Sequence, residues 1–309
     1  MLNKPCLALC VVAFLCASFQ VSAESPYLTV LGIGQDAGYP QAGCFKAHCL
    51  PGWKGKRQRH YATSLGLILP SSKQKYIFEA TPDFPQQYYL LQQHAPTPQY
   101  EFAGIFLTHA HIGHYAGLMF LGREAMGSDN VPVFVMPKML DFIQTNGPWS
   151  QLVKLQNITL QPLAHNKATQ LSGVKVVPFL VPHRDEYSET VGYKIIGPNK
   201  TAVFIPDINK WEDWQTSLSD LVLRSDYLLL DATFYAIGEL PGRDMSKIPH
   251  PFVTESMALL ADLPVNEKNK VFFIHMNHTN PLLMPMSKEA LFVKKQHFNV
   301  AFQGMTLSL

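Results

Sequence analysis

The chain has 309 residues, of which 47% are hydrophobic and 16% are charged, and its formal net charge is +2. Such a hydrophobic content excludes a disordered chain and is enough for one large domain or two small ones. Because 25 basic residues nearly balance 23 acidic ones, nucleic acid is not indicated as a partner.

The first 23 residues have the pattern of a secretory signal peptide. Lys4 supplies a positive start, residues 7–19 are mostly apolar and uncharged, and small side chains end the segment at Ala23. We therefore expect cleavage after Ala23, a mature domain of residues 24–309, and a periplasmic or secreted location. An uncleaved anchor is the alternative, but the apolar run is short for a bilayer-spanning helix, and we expect no later transmembrane segment.

Short runs rich in β-branched and aromatic residues, bounded by Gly, Pro, Asn or Asp, predict ten strands, at residues 27–33, 65–69, 76–79, 105–108, 131–135, 174–181, 191–196, 202–205, 227–230 and 271–274. Helical patterns occur at residues 84–93, 114–126, 138–145, 211–221, 252–263 and 287–295. The early strands are nearly consecutive and the later ones alternate with helices. This order predicts a single α/β domain with two sheets and helices on their outer faces.

Only two of the five cysteines, Cys44 and Cys49, remain after the expected cleavage. Two cysteines cannot form a disulfide scaffold, so a large core must stabilise the fold. The pair can form one disulfide in an oxidising compartment. The other interpretation is a structural zinc clip with His48 and a fourth ligand from elsewhere.

The strongest chemical signal follows the predicted strand at 105–108, where His109, His111 and His114 occur within six residues. His109 and His111 point the same way in an extended segment, and Gly113 lets the chain bend before His114. Imidazole is a common zinc ligand, and α/β folds place their sites at strand ends. The run therefore predicts a metal site rather than three unrelated histidines.

Four more candidate ligands follow predicted strands in the same way: His183, Asp207, His275 and, three residues later, His278. Each alone is most often an ordinary hydrogen-bonding residue. Their order after the first cluster is hard to obtain by chance, which favours one metal site assembled from distant segments.

This order of residues resembles the metallo-β-lactamase superfamily, whose motif is His-x-His-x-Asp-His followed by distant His, Asp and His. The stretches GYPQAGC, EATPDFPQQ and FIHMNHTNPLL resemble the family of coenzyme PQQ synthesis protein B. The resemblance covers essentially the whole mature chain. It implies a four-layer αβ/βα sandwich with one or two metal ions in the cleft between its halves.

The resemblance also implies the ligand set, residue by residue. The first metal position matches His109, His111 and His183, and the second matches His114, Asp207 and His275. Asp207 is expected to bridge both ions and is the expected catalytic residue, whereas Asp231 is expected to support the site without ligating.

One position departs from the motif, because Gly113 stands where the superfamily has aspartate. Asp36 lies after the first predicted strand in a loop that contains Gly34 and Gly38, and it is the candidate replacement. A turn-forming role is the alternative for Asp36.

These features imply an exported metal-dependent hydrolase that uses a metal-bound hydroxide on an ester, lactone, amide or phosphodiester. Zinc is the expected metal, although iron and manganese suit the same ligands. A non-catalytic PQQ-related carrier on the same fold is the alternative, and an iron-dependent oxidase is a third interpretation.

The substrate is expected to be a small molecule. Candidate pocket residues are Tyr39, Phe45, Trp53, His60, Tyr115 and His250. Basic residues of the same region favour an anionic substrate, namely Lys46, Lys54, Lys56, Arg57 and Arg59. A solvated basic loop is the alternative.

Overall fold

A computed structural model describes residues 25–309. The predicted signal peptide at residues 1–23 lies outside the described residues. Within them, no helix is both long and apolar enough to cross a bilayer.

The strands of the described residues are Tyr27–Gly32 (β1), Ser64–Leu69 (β2), Gln74–Phe78 (β3), Glu101–Phe106 (β4), Val131–Val135 (β5), Ile158–Pro162 (β6), Thr169–Leu171 (β7), Val174–Leu180 (β8), Val191–Ile196 (β9), Thr201–Ile205 (β10), Tyr227–Asp231 (β11), Val271–Ile274 (β12), Asn299–Val300 (β13) and Thr306–Ser308 (β14). The α-helices are Leu50–Trp53 (α1), Phe84–His94 (α2), Ile112–Tyr115 (α3), Pro137–Thr145 (α4), Trp149–Lys154 (α5), Leu218–Leu223 (α6), Val253–Leu259 (α7), Val265–Lys268 (α8) and Lys288–Lys295 (α9).

The strands form two seven-stranded mixed sheets, ordered β14-β1-β2-β3-β4-β5-β6 and β13-β12-β11-β10-β9-β8-β7. In the first sheet β3, β4, β5 and β6 pair in parallel. In the second sheet β10, β11, β12 and β13 do the same. The carboxyl ends of each parallel set therefore meet at one edge of its sheet, where α/β folds bind ligands.

Alternation along the strands of the first sheet explains how both of its faces are covered. In β3, Phe78 packs in the core between the sheets, whereas Ile77 belongs to a second apolar cluster. That second cluster includes Phe84 of α2 and Met139 of α4. Helices therefore cover the outer face of this sheet, as the sequence predicts.

Aromatic side chains join the two sheets face to face. Phe78 of β3 lies 5.3 Å from the ring of Tyr193 in β9 and 6.3 Å from that of Phe204 in β10, measured between centroids. Both contacts are edge-on, the arrangement that the quadrupoles of aromatic rings favour. The predicted layered α/β architecture is confirmed.

Two predicted helices differ from the structure. The helix expected at 114–126 begins at Ile112 as α3 and continues as a 3₁₀ segment, Ala116–Leu121. The Gly117 amide donates to the Ala80 carbonyl at 2.8 Å, so it does not continue the α-helical hydrogen-bond ladder of α3. The helix expected at 211–221 is replaced by a 3₁₀ turn, Trp211–Asp213, and by α6. Ser217 caps α6 by accepting from the Asp220 amide, which sets its start at Leu218.

Candidate metal centre

The predicted ligands come from chain segments that directly follow strands. His109 follows β4, His183 follows β8, Asp207 follows β10 and His275 follows β12. Their strands end at the same edge of the sandwich, which brings these distant side chains together. The convergence that the sequence predicted is present in the structure.

The first group contains His109, His111, His183 and Asp207, whose ligand atoms all lie within 4.8 Å of one another. His111 Nδ1 is 2.8 Å from His109 Nε2 and 3.2 Å from His183 Nε2. Asp207 Oδ2 is 3.4 Å from His109 Nε2 and 3.3 Å from His183 Nε2. Three imidazoles and one carboxylate around one point form a ligand set suited to zinc.

The second group contains Asp36, His114 and His275. Asp36 Oδ1 lies 3.3 Å from His114 Nε2 and 3.8 Å from His275 Nε2. Asp207 also reaches this group, since its Oδ2 is 3.7 Å from His114 Nε2. One carboxylate oxygen of Asp207 therefore lies between the two groups.

Most of these imidazoles are held from behind through the nitrogen that does not face the centre. His109 Nδ1 contacts Thr108 Oγ1 at 2.8 Å, and His275 Nδ1 contacts Thr233 Oγ1 at 3.0 Å. His183 Nδ1 is 3.2 Å from Asn209 Oδ1 in the same way. Such contacts fix ring orientation and determine which nitrogen faces an ion.

His111 and His114 are held by carboxylates. Glu186, at the exposed mouth, contacts His111 Nε2 at 3.1 Å, and the fully buried Glu79 lies 3.4 Å from His114 Nδ1. Glu79 is not among the predicted site residues, although it follows β3 at the same sheet edge. Glu79, Asp36 and His275 have positive φ angles of 74°, 22° and 65°, which is strain that concentrates at functional sites.

A third group contains Asp207, Asp231 and His250. His250 Nδ1 lies 2.8 Å from Asp231 Oδ2 and 3.2 Å from Asp207 Oδ1. Burial disfavours the charged imidazole, but the two carboxylates outweigh it and raise the pKa of His250 to about 9. The sequence predicted that His250 lines the pocket, but it did not predict the contact between His250 and Asp207. Asp231 supports His250 and Thr233 from behind.

The electrostatics of the centre fit a bound cation. Asp36, Glu79, Asp207 and Asp231 converge there, and none of them has a Lys or Arg nitrogen within 4.0 Å among residues 25–309. Burial would raise the pKa of Asp207, yet His250 and His183 hold it well below its usual value. Burial and the neighbouring His114 lower the pKa of His109 well below its usual value. Asp207 therefore keeps its negative charge and His109 resists protonation, as the donors of a divalent metal must.

A fourth group lies elsewhere and contains Cys44, His48, Cys49 and His278, with ligand atoms within 4.8 Å of one another. Both thiols are free and buried, and Cys44 Sγ is 3.3 Å from His48 Nε2. His278 was a candidate for the main site, but its ring instead lies 5.4 Å from that of His48. Because His278 supplies the fourth ligand that the local sequence lacked, this geometry favours the zinc clip over the disulfide.

We expect a Cys44→Ser, Cys49→Ser double variant to contain about one zinc ion fewer per chain than the unchanged protein, because four-coordinate zinc sites need their thiolates. Elemental analysis after dialysis measures this difference. Thiol titration of the unchanged protein checks the alternative. Thiols that react only after a reductant is added would indicate a disulfide and contradict the zinc clip.

The other predicted pocket residues do not form one surface. Tyr115 is buried against Phe142 and Trp149, and His60 lines an apolar cavity with Leu283. The Tyr39 hydroxyl donates to the His48 carbonyl and so braces the cysteine group. Phe45 and Trp53 are exposed.

The basic residues at 46–59 are mostly solvated. Lys54, Lys56 and Arg59 are exposed, while Arg57 donates to the Tyr39 hydroxyl at 3.2 Å. Lys46 lines a cavity of about 460 Å³, and Arg243 lines the same cavity. The solvated-loop interpretation therefore describes most of the basic stretch.

The protein has two facing mixed sheets with helices outside them, and a histidine–aspartate centre lies at the shared strand ends. These features define a metallo-β-lactamase fold. The chain belongs to the beta-lactamase superfamily, whose domain model matches residues 74–276. The predicted family and sandwich fold are confirmed.

Several relatives are named coenzyme PQQ synthesis protein B. The protein of that name from Methylobacterium sp. (strain 4-46) is 26% identical over 312 residues, which covers 91% of this chain and 99% of that protein. The crystal structure of Zn(2+)-bound PqqB from Methylobacterium extorquens has a TM-score of 0.74 at 24% identity and covers 92% of this chain and 100% of that one. A diphosphatase of the PhnP family has a TM-score of 0.63 at 21% identity, with coverages of 92% and 97%.

Proposed function

We propose that this protein is an exported metal-dependent hydrolase acting on an ester, lactone, amide or phosphodiester. The observation that carries the proposal is the convergence of His109, His111, His183 and Asp207, with ligand atoms within 4.8 Å. Hydrolase-like architecture of the superfamily supports it, but fold alone does not assign a reaction. Export rests on the signal pattern of residues 1–23.

The residues of the centre would have different roles in such a reaction. When bound, a divalent ion lowers the pKa of water to about 7 and polarises the oxygen under attack. His109, His111, His183 and Asp207 would hold the ion. Asp231 and Asp207 both contact His250 Nδ1, so His250 would hold the Asp207 carboxylate in place beside the ion.

We propose further that the substrate is a small anionic molecule. The 460 Å³ cavity lined by Lys46 and Arg243 borders the cysteine group, since His48 and His278 also line it, and it reaches Asn277. Asn277 Nδ2 donates to Gln35 Oε1 at 2.6 Å, and Gln35 directly precedes Asp36. Positive charge in this cavity would attract an anionic group.

A non-catalytic carrier related to PQQ is the second candidate. The shared name of the relatives, coenzyme PQQ synthesis protein B, favours it. The two candidates differ in one measurable property, because a carrier binds a quinone without hydrolysing any of the proposed substrate classes.

We expect the purified protein to contain tightly bound divalent metal and to hydrolyse at least one nitrophenyl ester, lactone, amide or phosphodiester in a screen. Chelation should abolish hydrolysis and added zinc, manganese or iron should restore it, because the water requires the ion. Circular dichroism of the chelated sample controls for unfolding. Hydrolysis that survives complete metal removal contradicts the proposal, and stoichiometric metal with quinone binding but no hydrolysis supports the carrier.

A further inference from the structure

We propose that Asp36 is the carboxylate ligand of a second metal position, completed by His114, His275 and Asp207, and that Gly113 leaves the space which Asp36 occupies. This inference rests on the proposed metal centre. It concerns the binding of a second divalent ion and is tested by ion binding rather than by hydrolysis.

Three buried atoms that face one another are the first support. Asp36 Oδ1, His114 Nε2 and His275 Nε2 are each buried without a hydrogen-bond partner. The carboxylate oxygen lies 3.3 Å and 3.8 Å from the two nitrogens. Unpartnered buried polar atoms are costly, and a cation at their common centre would satisfy all three at once.

A turn-forming role for Asp36 does not account for this arrangement. Its side chain is 44% exposed as a whole, so a turn-forming aspartate could direct both oxygens to water. Oδ1 is instead turned inward, and the residue has a φ of 22°, which is unfavourable for a side chain. A strained backbone with an inward-facing oxygen indicates a functional demand on this carboxylate.

The space at Gly113 is the second, independent support. A Cβ added to Gly113 would lie 2.5 Å from Asp36 Cα and 2.6 Å from Asp36 Oδ1, distances that no real side chain tolerates. Gly113 is absent from the glycines with positive φ, so its backbone does not require glycine. The missing side chain is therefore needed for room, and the group in that room is the Asp36 carboxylate.

The loop that carries Asp36 is fastened to the segment that carries His275. The Gln35 amide donates to the Met276 carbonyl at 2.8 Å, and the Met276 amide donates to the Ile33 carbonyl at 2.8 Å. These two bonds join the residue after His275 to Gln35, directly before Asp36, and to Ile33, and they hold the two segments in register. A ligand supplied by this loop is thus positioned as firmly as one supplied by a strand end.

Isothermal titration calorimetry with zinc, together with elemental analysis after dialysis, tests whether Asp36 is a metal ligand. We expect Asp36→Ala to bind about one zinc ion fewer per chain than the unchanged protein, while the cysteine group and the first group keep theirs. Gln35→Ala is the matched control, because it alters the same loop without removing the carboxylate, and its zinc count should equal that of the unchanged protein. An unchanged zinc count and affinity in Asp36→Ala would overturn the proposal.

A swap of the two residues tests the role of Gly113. Gly113→Asp alone should lose an ion, because the new side chain collides with Asp36. The Asp36→Gly, Gly113→Asp double variant should regain it, since the carboxylate returns to the same space from the other side. A double variant that remains one ion short would overturn the role of Gly113. Loss of the ion with no hydrolysis in any sample would refute the proposed activity and leave this assignment standing.

Discussion

Asp207→Asn should reduce hydrolysis by at least about 10³-fold, which is about 4 kcal/mol of transition-state stabilisation, and should lower the metal content of both positions. Asp207 Oδ2 lies within 3.7 Å of His109, His183 and His114 nitrogens. Asparagine keeps the shape of the side chain but loses the negative charge that divalent ions require from this position. Elemental analysis and steady-state rates on the substrate found in the screen measure the two effects.

Asp226→Asn is the matched control for this variant. Asp226 accepts from the Thr201 amide at 2.8 Å and precedes β11, at the opposite end of the strand from Asp231. An amide oxygen can accept the same hydrogen bond, so metal content and rate should stay unchanged. If Asp207→Asn retains full metal content at both positions, Asp207 is not the shared ligand.

His111→Ala should lower the metal affinity of the first position by more than about 100-fold. Loss of a residue that only orients a ligand lowers the affinity by at most about 100-fold. Its Nδ1 lies 2.8 Å from His109 Nε2 and 3.2 Å from His183 Nε2, so the variant leaves two imidazoles and Asp207. His111 is 18% exposed, which lets water fill the space without disrupting the core. Competition with a chromophoric chelator measures the affinity.

Glu186→Gln separates ligand loss from loss of orientation. Glu186 contacts His111 through the outer nitrogen Nε2, at 3.1 Å, and is 50% exposed, so about 10-fold weaker binding is expected. Equal effects of the two variants would show that His111 acts only through its outer contact. Full metal occupancy in His111→Ala would remove it from the first position.

Much of the architecture was predictable because local pattern and tertiary role agree. The runs at 131–135 and 191–196 became β5 and β9 with the predicted bounds, since β-branched residues between turn formers suit buried strands. Strands β6, β7, β13 and β14 were missed. Each is short or mixed in polarity, and its pairing with a neighbour, rather than its own composition, makes it a strand.

The ligand candidates were predictable because chemistry-bearing side chains recur directly after buried strands. His109, His183, Asp207 and His275 all follow this rule, and the structure brings them together. Glu79 obeys the same rule but was missed, because a single glutamate carries no distinctive spacing. Thr233 and Glu186 have no local signal, since each acts only through a histidine far away in the chain.

Residue order and periodicity thus determined the layers, the family and the identity of the first ligands, because these depend on local preferences and on short spacings. Three-dimensional packing alone decided which nitrogen of each imidazole faces the centre, that His278 joins the cysteines, and that Asp36 fills the space beside Gly113. The reason is geometric: contacts between loops that are far apart in the chain depend on how two sheets stack, and no short stretch of chain encodes that distance.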